Sequence, residues 1–392
     1  MNNTPRANRP HIAFFGVRNA GKSSLINAVT GQDTAIVSDI KGTTTDPVYK
    51  AMELLPLGAV VLIDTPGFDD EGELGDLRVR RARQTLNKAD AAVLVTDGAA
   101  GFGKEDEALI DLFKEKGIPF IIAINKNDLT ECPNTSSNCE RVYVSAKTGE
   151  GVHELKERLA RLNLTDDPKR RLVADLVDPG DFTVLVVPID SAAPKGRLIL
   201  PQQQVIRDAL EAGAAVIVVK ESELRETLEN LGRKPKIVIT DSQAFEKVSA
   251  ETPSDIALTS FSILFARYKG VLEQSVQGVE AMETVSAGDK ILIAEGCTHH
   301  RQCDDIGTVK LPRWIRDYTG KNPEFSFVSG SDFPDALTGY KLIVHCGGCM
   351  LNNREMRSRE ERAAKQGAPF TNYGVIIAYT QGILERCTSM FS

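Results

Sequence analysis

Gly16-Val17-Arg18-Asn19-Ala20-Gly21-Lys22-Ser23 fits the pattern G-x-x-x-x-G-K-[ST]. It stands between an apolar run at 11–15, which reads as a strand, and a helical stretch at 24–29. That strand–loop–helix setting gives the pattern its chemistry. The glycines let the backbone curl until its N–H groups face a chain of phosphates, Lys22 brings a point charge to the β and γ oxygens, and the Ser23 hydroxyl is suited to ligate Mg²⁺. Gly16, Asn19, Ala20, Gly21, Lys22, Ser23 and Ser24 are therefore the expected phosphate-contacting set.

Three further motifs follow in order, each after a strand-like run. Asp64-Thr65-Pro66-Gly67 follows the run at 59–63, where an acidic partner for Mg²⁺ (Asp64) and an amide that senses the γ-phosphate (Gly67) are needed. Asn125-Lys126-Asn127-Asp128 closes the run at 119–124. An aspartate in the fourth place can accept from guanine N1–H and N2–H₂, which adenine cannot offer, so Asp128 selects GTP over ATP. Ser145-Ala146-Lys147, after the run at 141–144, adds a loop amide for guanine O6. The four together predict a domain that binds and hydrolyses GTP, with GTP/GDP and Mg²⁺ as cofactors.

Their order and wording resemble the TRAFAC-type GTPases related to the tRNA-modifying MnmE and the ribosome-assembly Era groups. On that resemblance Asp39-Ile40-Lys41-Gly42-Thr43-Thr44-Thr45-Asp46 looks like the first switch, with Thr44 matching the Mg²⁺-binding threonine and Thr43 and Thr45 as neighbouring alternatives. In the potassium-dependent members an asparagine in the fourth place of the phosphate loop helps hold K⁺, a place matched by Asn19. Phe68 stands where Ras-like proteins place the glutamine that orients water. Intrinsic hydrolysis is therefore expected to be slow and assisted by K⁺ or by a partner.

A chain of 392 residues exceeds one ordinary core, and its 42% hydrophobic and 26% charged residues are those of a globular protein. The expected fold class is α/β: a P-loop GTPase domain (1–166), then two smaller α/β domains with mainly parallel sheets (172–269 and 270–392). The polar stretch at 163–169 reads as a linker. A formal charge of -7 argues against a nucleic-acid surface, and the basic runs at 78–83 and 169–171 read as solvated faces. No apolar run approaches a membrane span and no secretory signal opens the chain, so a cytoplasmic protein without nucleic-acid or membrane partners is expected.

The middle segment repeats the α/β rhythm, with strands near 183–189, 215–219, 236–240 and 256–259, but carries no evident chemistry. Such apolar strands need cover on both faces, from helices or from a second copy of the chain. In the last segment strands are expected at 290–294, 324–328 and 341–345, and a helix at 307–318. Cys297-Thr298-His299 and His345-Cys346-Gly347-Gly348-Cys349 each follow one of those strands, so in a parallel sheet both sets converge on its carboxyl edge. Thiols with imidazoles are soft ligands, suited to iron–sulfur clusters or zinc.

Three thiolates leave one iron of a cluster without a cysteine. His299, His345 and Cys303 are the nearby candidates, although a histidine beside a cysteine more often hydrogen-bonds than ligates, and Cys303 keeps a closed Cys₄ zinc site open as an alternative. Gly347-Gly348 reads both as a tight turn and as bare amides for cluster sulfides. Cys132, Cys139 and Cys387 read as ordinary thiols, Trp314 as core, and Tyr318, Phe325, Phe327 and Phe333 as a wall between cluster and water.

Taken with the upstream GTPase motifs, C-x-H followed by H-C-x-x-C resembles the [FeFe]-hydrogenase maturation GTPases, the HydF family, over nearly the whole chain. The resemblance implies a homodimer made by the middle segment and a [4Fe–4S] cluster held by Cys297, Cys346 and Cys349. It also implies a scaffold that carries a diiron precursor, built with two radical-SAM maturases, to the [FeFe]-hydrogenase apoprotein. The rival reading is a tRNA-modification or ribosome-assembly GTPase with a structural zinc domain, against which the acidic charge weighs.

Overall fold

The computed structural model describes residues 5–31, 47–67, 82–129, 141–162, 164, 170–189, 198–297, 305–330 and 332–391. The chain divides into two compact units, 1–168 and 169–392. No helix among the described residues is long and apolar enough to cross a membrane.

In the first unit β1 (His11–Phe15), β2 (Val48–Leu54), β3 (Gly58–Asp64), β4 (Ala91–Asp97), β5 (Phe120–Asn125) and β6 (Arg141–Tyr143) form one sheet in the order β2-β3-β1-β4-β5-β6. All its pairings are parallel except that of β2 with β3. Every residue of β1 is buried because helices cover both faces. Ile12 and Phe14 pack with Leu25 and Val29 of helix Lys22–Thr30 and Leu155 and Leu159 of helix Val152–Arg161. Phe15, Ile63 and Leu94 pack on Phe113 of helix Lys104–Glu115 on the other face. The sequence reading did not anticipate β2, whose Lys50 and Glu53 interrupt an apolar pattern. Only its Leu54 is buried, as suits an edge strand.

The second unit holds two four-stranded sheets, parallel throughout. β7 (Phe182–Val186), β8 (Ala215–Val219), β9 (Ile237–Thr240) and β10 (Ala257–Ser260) lie in the order β10-β9-β7-β8. β11 (Lys290–Glu295), β12 (Glu324–Ser329), β13 (Leu342–His345) and β14 (Phe370–Asn372) lie in the order β12-β11-β13-β14. The sheets share one core, in which Val184, Val186, Val238 and Leu258 meet Ile291, Ile293, Leu342 and Val344 around Val375, Ile376 and Ile377. The stretches 172–269 and 270–392 thus each carry one sheet, and both fold within a single compact unit. Each fully buried branched side chain contributes about 1.5–3 kcal/mol, so parting the sheets would forfeit many such terms at once. Helix Tyr373–Thr380, buried over Tyr373–Ala378, is apolar on every side, as a helix inside a core must be.

Candidate nucleotide and thiol sites

The carboxyl ends of β1, β3, β5 and β6 deliver the four nucleotide motifs to one edge of the first sheet. Gly16 lies at φ 145°, and a Cβ there would fall 2.1 Å from the Val95 carbonyl oxygen; at Gly21 (φ 90°) it would fall 2.3 Å from Asn125 Nδ2. Both positions therefore require glycine. Asn19 takes φ 62°, which asparagine tolerates better than most residues. Lys22 is buried and its Nζ donates to the Gly16 and Val17 carbonyls at 2.9 and 2.8 Å, which fixes its charge at the loop.

Ser23 Oγ donates to Asp64 Oδ2 at 2.6 Å, while Asp64 Oδ1 is buried with no hydrogen-bond partner. Burial pushes the Asp64 carboxyl up, against the bond from Ser23 and the charges of Lys22 and Lys50. A hydroxyl beside a desolvated carboxylate is a donor set that a hard cation such as Mg²⁺ suits. Gly67 packs so closely on Arg18 that a Cβ would lie 2.9 Å from its Cα. Thr44, with the rest of 39–46, and Phe68 lie outside the described residues.

On the base side, Asn125 Nδ2 donates to the Ala20 carbonyl at 2.9 Å and its Oδ1 accepts from the Ala146 N–H at 3.0 Å, which ties the phosphate loop to the 145–147 loop. Asp128 Oδ1 accepts from Ser145 Oγ at 2.7 Å, and that hydroxyl in turn accepts from the Thr148 N–H at 3.2 Å. Lys126 takes φ 65° and its Nζ pairs with Asp97 Oδ2 at 2.5 Å, while Lys147 is exposed. Sequence reasoning missed Asp97. The signal was its place at the end of β4, in register with Asn125.

In the second unit β11 and β13 are adjacent, with Ala294 opposite His345. Cys297 and Cys346 therefore leave the same sheet edge side by side. Cys346 Sγ accepts from the Gly296 and Gly348 N–H groups at 3.1 and 3.4 Å. Gly348, at φ 64°, is both the turn residue and an amide donor to sulfur, and a Cβ on it would lie 2.7 Å from Met356 Sδ. Burial raises all three thiols. Cys297 is pushed to about 12 by burial and then by Cys346 and Cys349, and Cys349 to about 11 by burial and then by Cys346; in Cys346, burial outweighs the two amide bonds. Thiols raised in this way keep their protons until a cationic centre binds and displaces them. Among the described residues no three His, Cys, Asp or Glu side chains form a group that could hold a metal ion. A cluster makes a different demand, since each thiolate takes its own iron at a separate corner, and this donor set fits it.

His345, expected as a possible fourth ligand, has both ring nitrogens in hydrogen bonds. Its ring is fully buried, with Nδ1 2.8 Å from the Cys346 carbonyl oxygen and Nε2 3.1 Å from Arg359 Nη1. Arginine only donates, so Nε2 accepts, Nδ1 carries the proton, and both nitrogens are used. Burial, with Arg359 beside it, lowers the imidazole to about 3. Arg359 also binds Glu355 Oε1 at 2.7 Å. His299 and Cys303, like Cys132 and Cys139, lie outside the described residues.

The aromatic wall is only partly present. Phe333 packs on His345 with ring centres 6.3 Å apart, but Tyr318 and Phe327 are 41% and 38% exposed and Tyr318 bonds to Glu283 instead. Phe327 lies on an edge strand. Cys387 is an ordinary buried thiol.

Comparison with known proteins gives three family matches: a 50S ribosome-binding GTPase model over residues 11–126, a hydrogen maturase F dimerization domain over 172–270, and a hydrogen maturase F tetramerization domain over 273–390. The tRNA modification GTPase MnmE of Burkholderia thailandensis is 36% identical over 163 residues, covering 38% of this chain and 34% of that protein. GTPase Der of Maridesulfovibrio salexigens is 41% identical over 124 residues, covering 30% of this chain and 27% of its own. The chain thus spans about a third of the length of the curated relatives it matches. Among solved structures, Era of Aquifex aeolicus covers 62% of this chain and 97% of its own at 21% identity and a TM-score of 0.34. The first unit is a P-loop GTPase domain, and the two hydrogen maturase F models alone take up more than half of the sequence; the chain belongs to the hydrogen maturase F (HydF) family of GTPases.

Proposed function

We propose that this protein binds and hydrolyses GTP in its first unit and holds a [4Fe–4S] cluster in its second. It acts as a scaffold that assembles the diiron precursor and delivers it to [FeFe]-hydrogenase apoprotein, with two radical-SAM maturases as further partners. The observation that carries the reading is that three thiols raised chiefly by burial, one already bonded by two backbone amides, follow two adjacent strands at the carboxyl edge of a parallel sheet in a GTPase of this family. Cys297, Cys346 and Cys349 would hold the cluster, which supplies an iron not bound by cysteine where a second iron unit can dock. Anaerobic purification followed by iron and sulfide analysis is the first test, and a colourless, iron-free protein would overturn the reading.

For hydrolysis, the phosphate-loop amides and Lys22 bind the phosphates, Ser23 and Thr44 ligate Mg²⁺, Asp64 supports the metal from behind Ser23, and the Gly67 amide meets the γ-phosphate. Asn19 is assigned to K⁺. Hydrolysis is then expected to run several-fold faster in K⁺ than in Na⁺, and Asn19→Ala to erase the difference. Equal rates in the two salts would refute this role, and single-turnover phosphate release measures it.

Self-association is assigned to the middle segment through β8. This strand ends its sheet, and its Ala215 and Val218 are exposed, as is the nearby Leu210. An apolar sheet edge is a template for pairing with a second copy. Light scattering after gel filtration is expected to give a dimer or larger assembly, and Val218→Lys to weaken it by at least about tenfold, because a charge on an edge strand opposes pairing. A monomeric unaltered protein at micromolar concentration would retire the assignment.

A further inference from the structure

Lys269 is fully buried, although lysine almost never is. It ends helix Phe261–Lys269, and its Nζ donates to the Leu351 carbonyl at 2.6 Å, two residues beyond Cys349. Charge around the thiols is divided. Glu295 and Asp305 act on Cys297, Glu295 and Arg359 act in opposite senses on Cys346, and Lys269 acts on Cys349. Arg359 is matched by Glu355, to which it is bonded. The Lys269 ammonium lies 5.4 Å from the centroid of the Tyr268 ring and is held at the thiol loop by the Leu351 carbonyl, where its field bears on Cys349.

We propose that Lys269 is the counter-charge of the thiol site. Its buried ammonium stabilises the negative charge that the site gains when a bound [4Fe–4S] cluster takes up one electron, and so holds the reduction potential up. The proposal rests on the cluster reading above and adds a residue outside the cysteine motif. Cluster potentials respond to net charge, hydrogen bonds to sulfur and exposure, and a charge in a low-dielectric interior acts more strongly than one in water.

A purely structural role, in which Lys269 only tethers the 346–351 loop, predicts the opposite sign. A loosened loop admits water, which favours the more highly charged reduced form and raises the potential. Loss of a counter-charge lowers it.

The test is an EPR-monitored redox titration of the full-length protein loaded with cluster, comparing the unaltered chain with Lys269→Met, Lys269→Gln and Lys269→Arg. Iron and sulfide content and GTP hydrolysis serve as controls. Met and Gln are each expected to reduce the ratio of reduced to oxidised cluster at a fixed potential at least about tenfold, a shift of roughly 59 mV to more negative values for a one-electron couple. Arg should recover most of that shift. If Met does not hold iron, Gln carries the same expectation. A potential that is unchanged or more positive in the neutral variants overturns the proposal while leaving the cluster assignment intact; absence of iron from the unaltered protein overturns both.

Discussion

Asp128→Asn is expected to weaken GTP binding by about 10²–10⁴-fold and to favour xanthosine triphosphate. Its carboxylate is held in place: Ser145 Oγ donates to one oxygen at 2.7 Å and itself accepts from the Thr148 amide. A carboxylate receiving guanine N1–H and N2–H₂ makes two hydrogen bonds to a charged group, worth about 1.5–3 kcal/mol each. In the variant the amide N–H₂ meets the base's own N–H₂, so a donor faces a donor. Xanthine carries an acceptor oxygen at that position and restores the pairing. Competition of both nucleotides against a fluorescent GDP analogue measures the change, and an unaltered preference for GTP would remove Asp128 from base recognition.

The elements that could be read from the sequence were those with a local signature. β1, β3, β4 and β5 are unbroken apolar runs, three of them ended by motif residues, and they lie within a residue or two of where their composition puts them. β2 escaped because an edge strand buries one residue and tolerates Lys50 and Glu53. Helix Tyr373–Thr380 escaped for the opposite reason, since an element apolar on all sides has no 3.6-residue period to detect. The thiol pairing was legible only through topology: Cys297 and Cys346 are far apart in sequence, and the adjacency of β11 and β13 joins them.

What surrounds the thiols was not legible. Arg359 and Lys269 carry no motif that sets them apart from other basic residues; the contact of Arg359 with His345 and the burial of Lys269 come from the fold. At His345 the sequence gives residue type without direction. Its ring faces Arg359 and the Cys346 carbonyl, so its effect on the site passes through the cysteine loop.

Replacing Cys346 or Cys349 by Ala or Ser is expected to abolish the cluster and hydrogenase activation while GTP hydrolysis stays within about twofold, because the nucleotide residues belong to the other compact unit. Cys297→Ala should do the same. Lys22→Ala should invert the pattern, with iron and sulfide retained and hydrolysis down by about 10²–10³-fold, the usual loss when a preorganised charge at the transferring phosphate is removed. Iron and sulfide analysis with low-temperature EPR, beside phosphate release on each variant, separates the two. Stoichiometric zinc in place of iron would favour a structural metal domain, and an undisturbed cluster signal in the Cys346 or Cys349 variant would exclude those thiols as ligands. Cys346 is the most demanding case: with its Sγ gone, the Gly296 and Gly348 amides lose their acceptor, so both the ligand and the loop that presents Cys349 fail together, and the serine variant, which keeps an acceptor, should restore loop order without restoring iron.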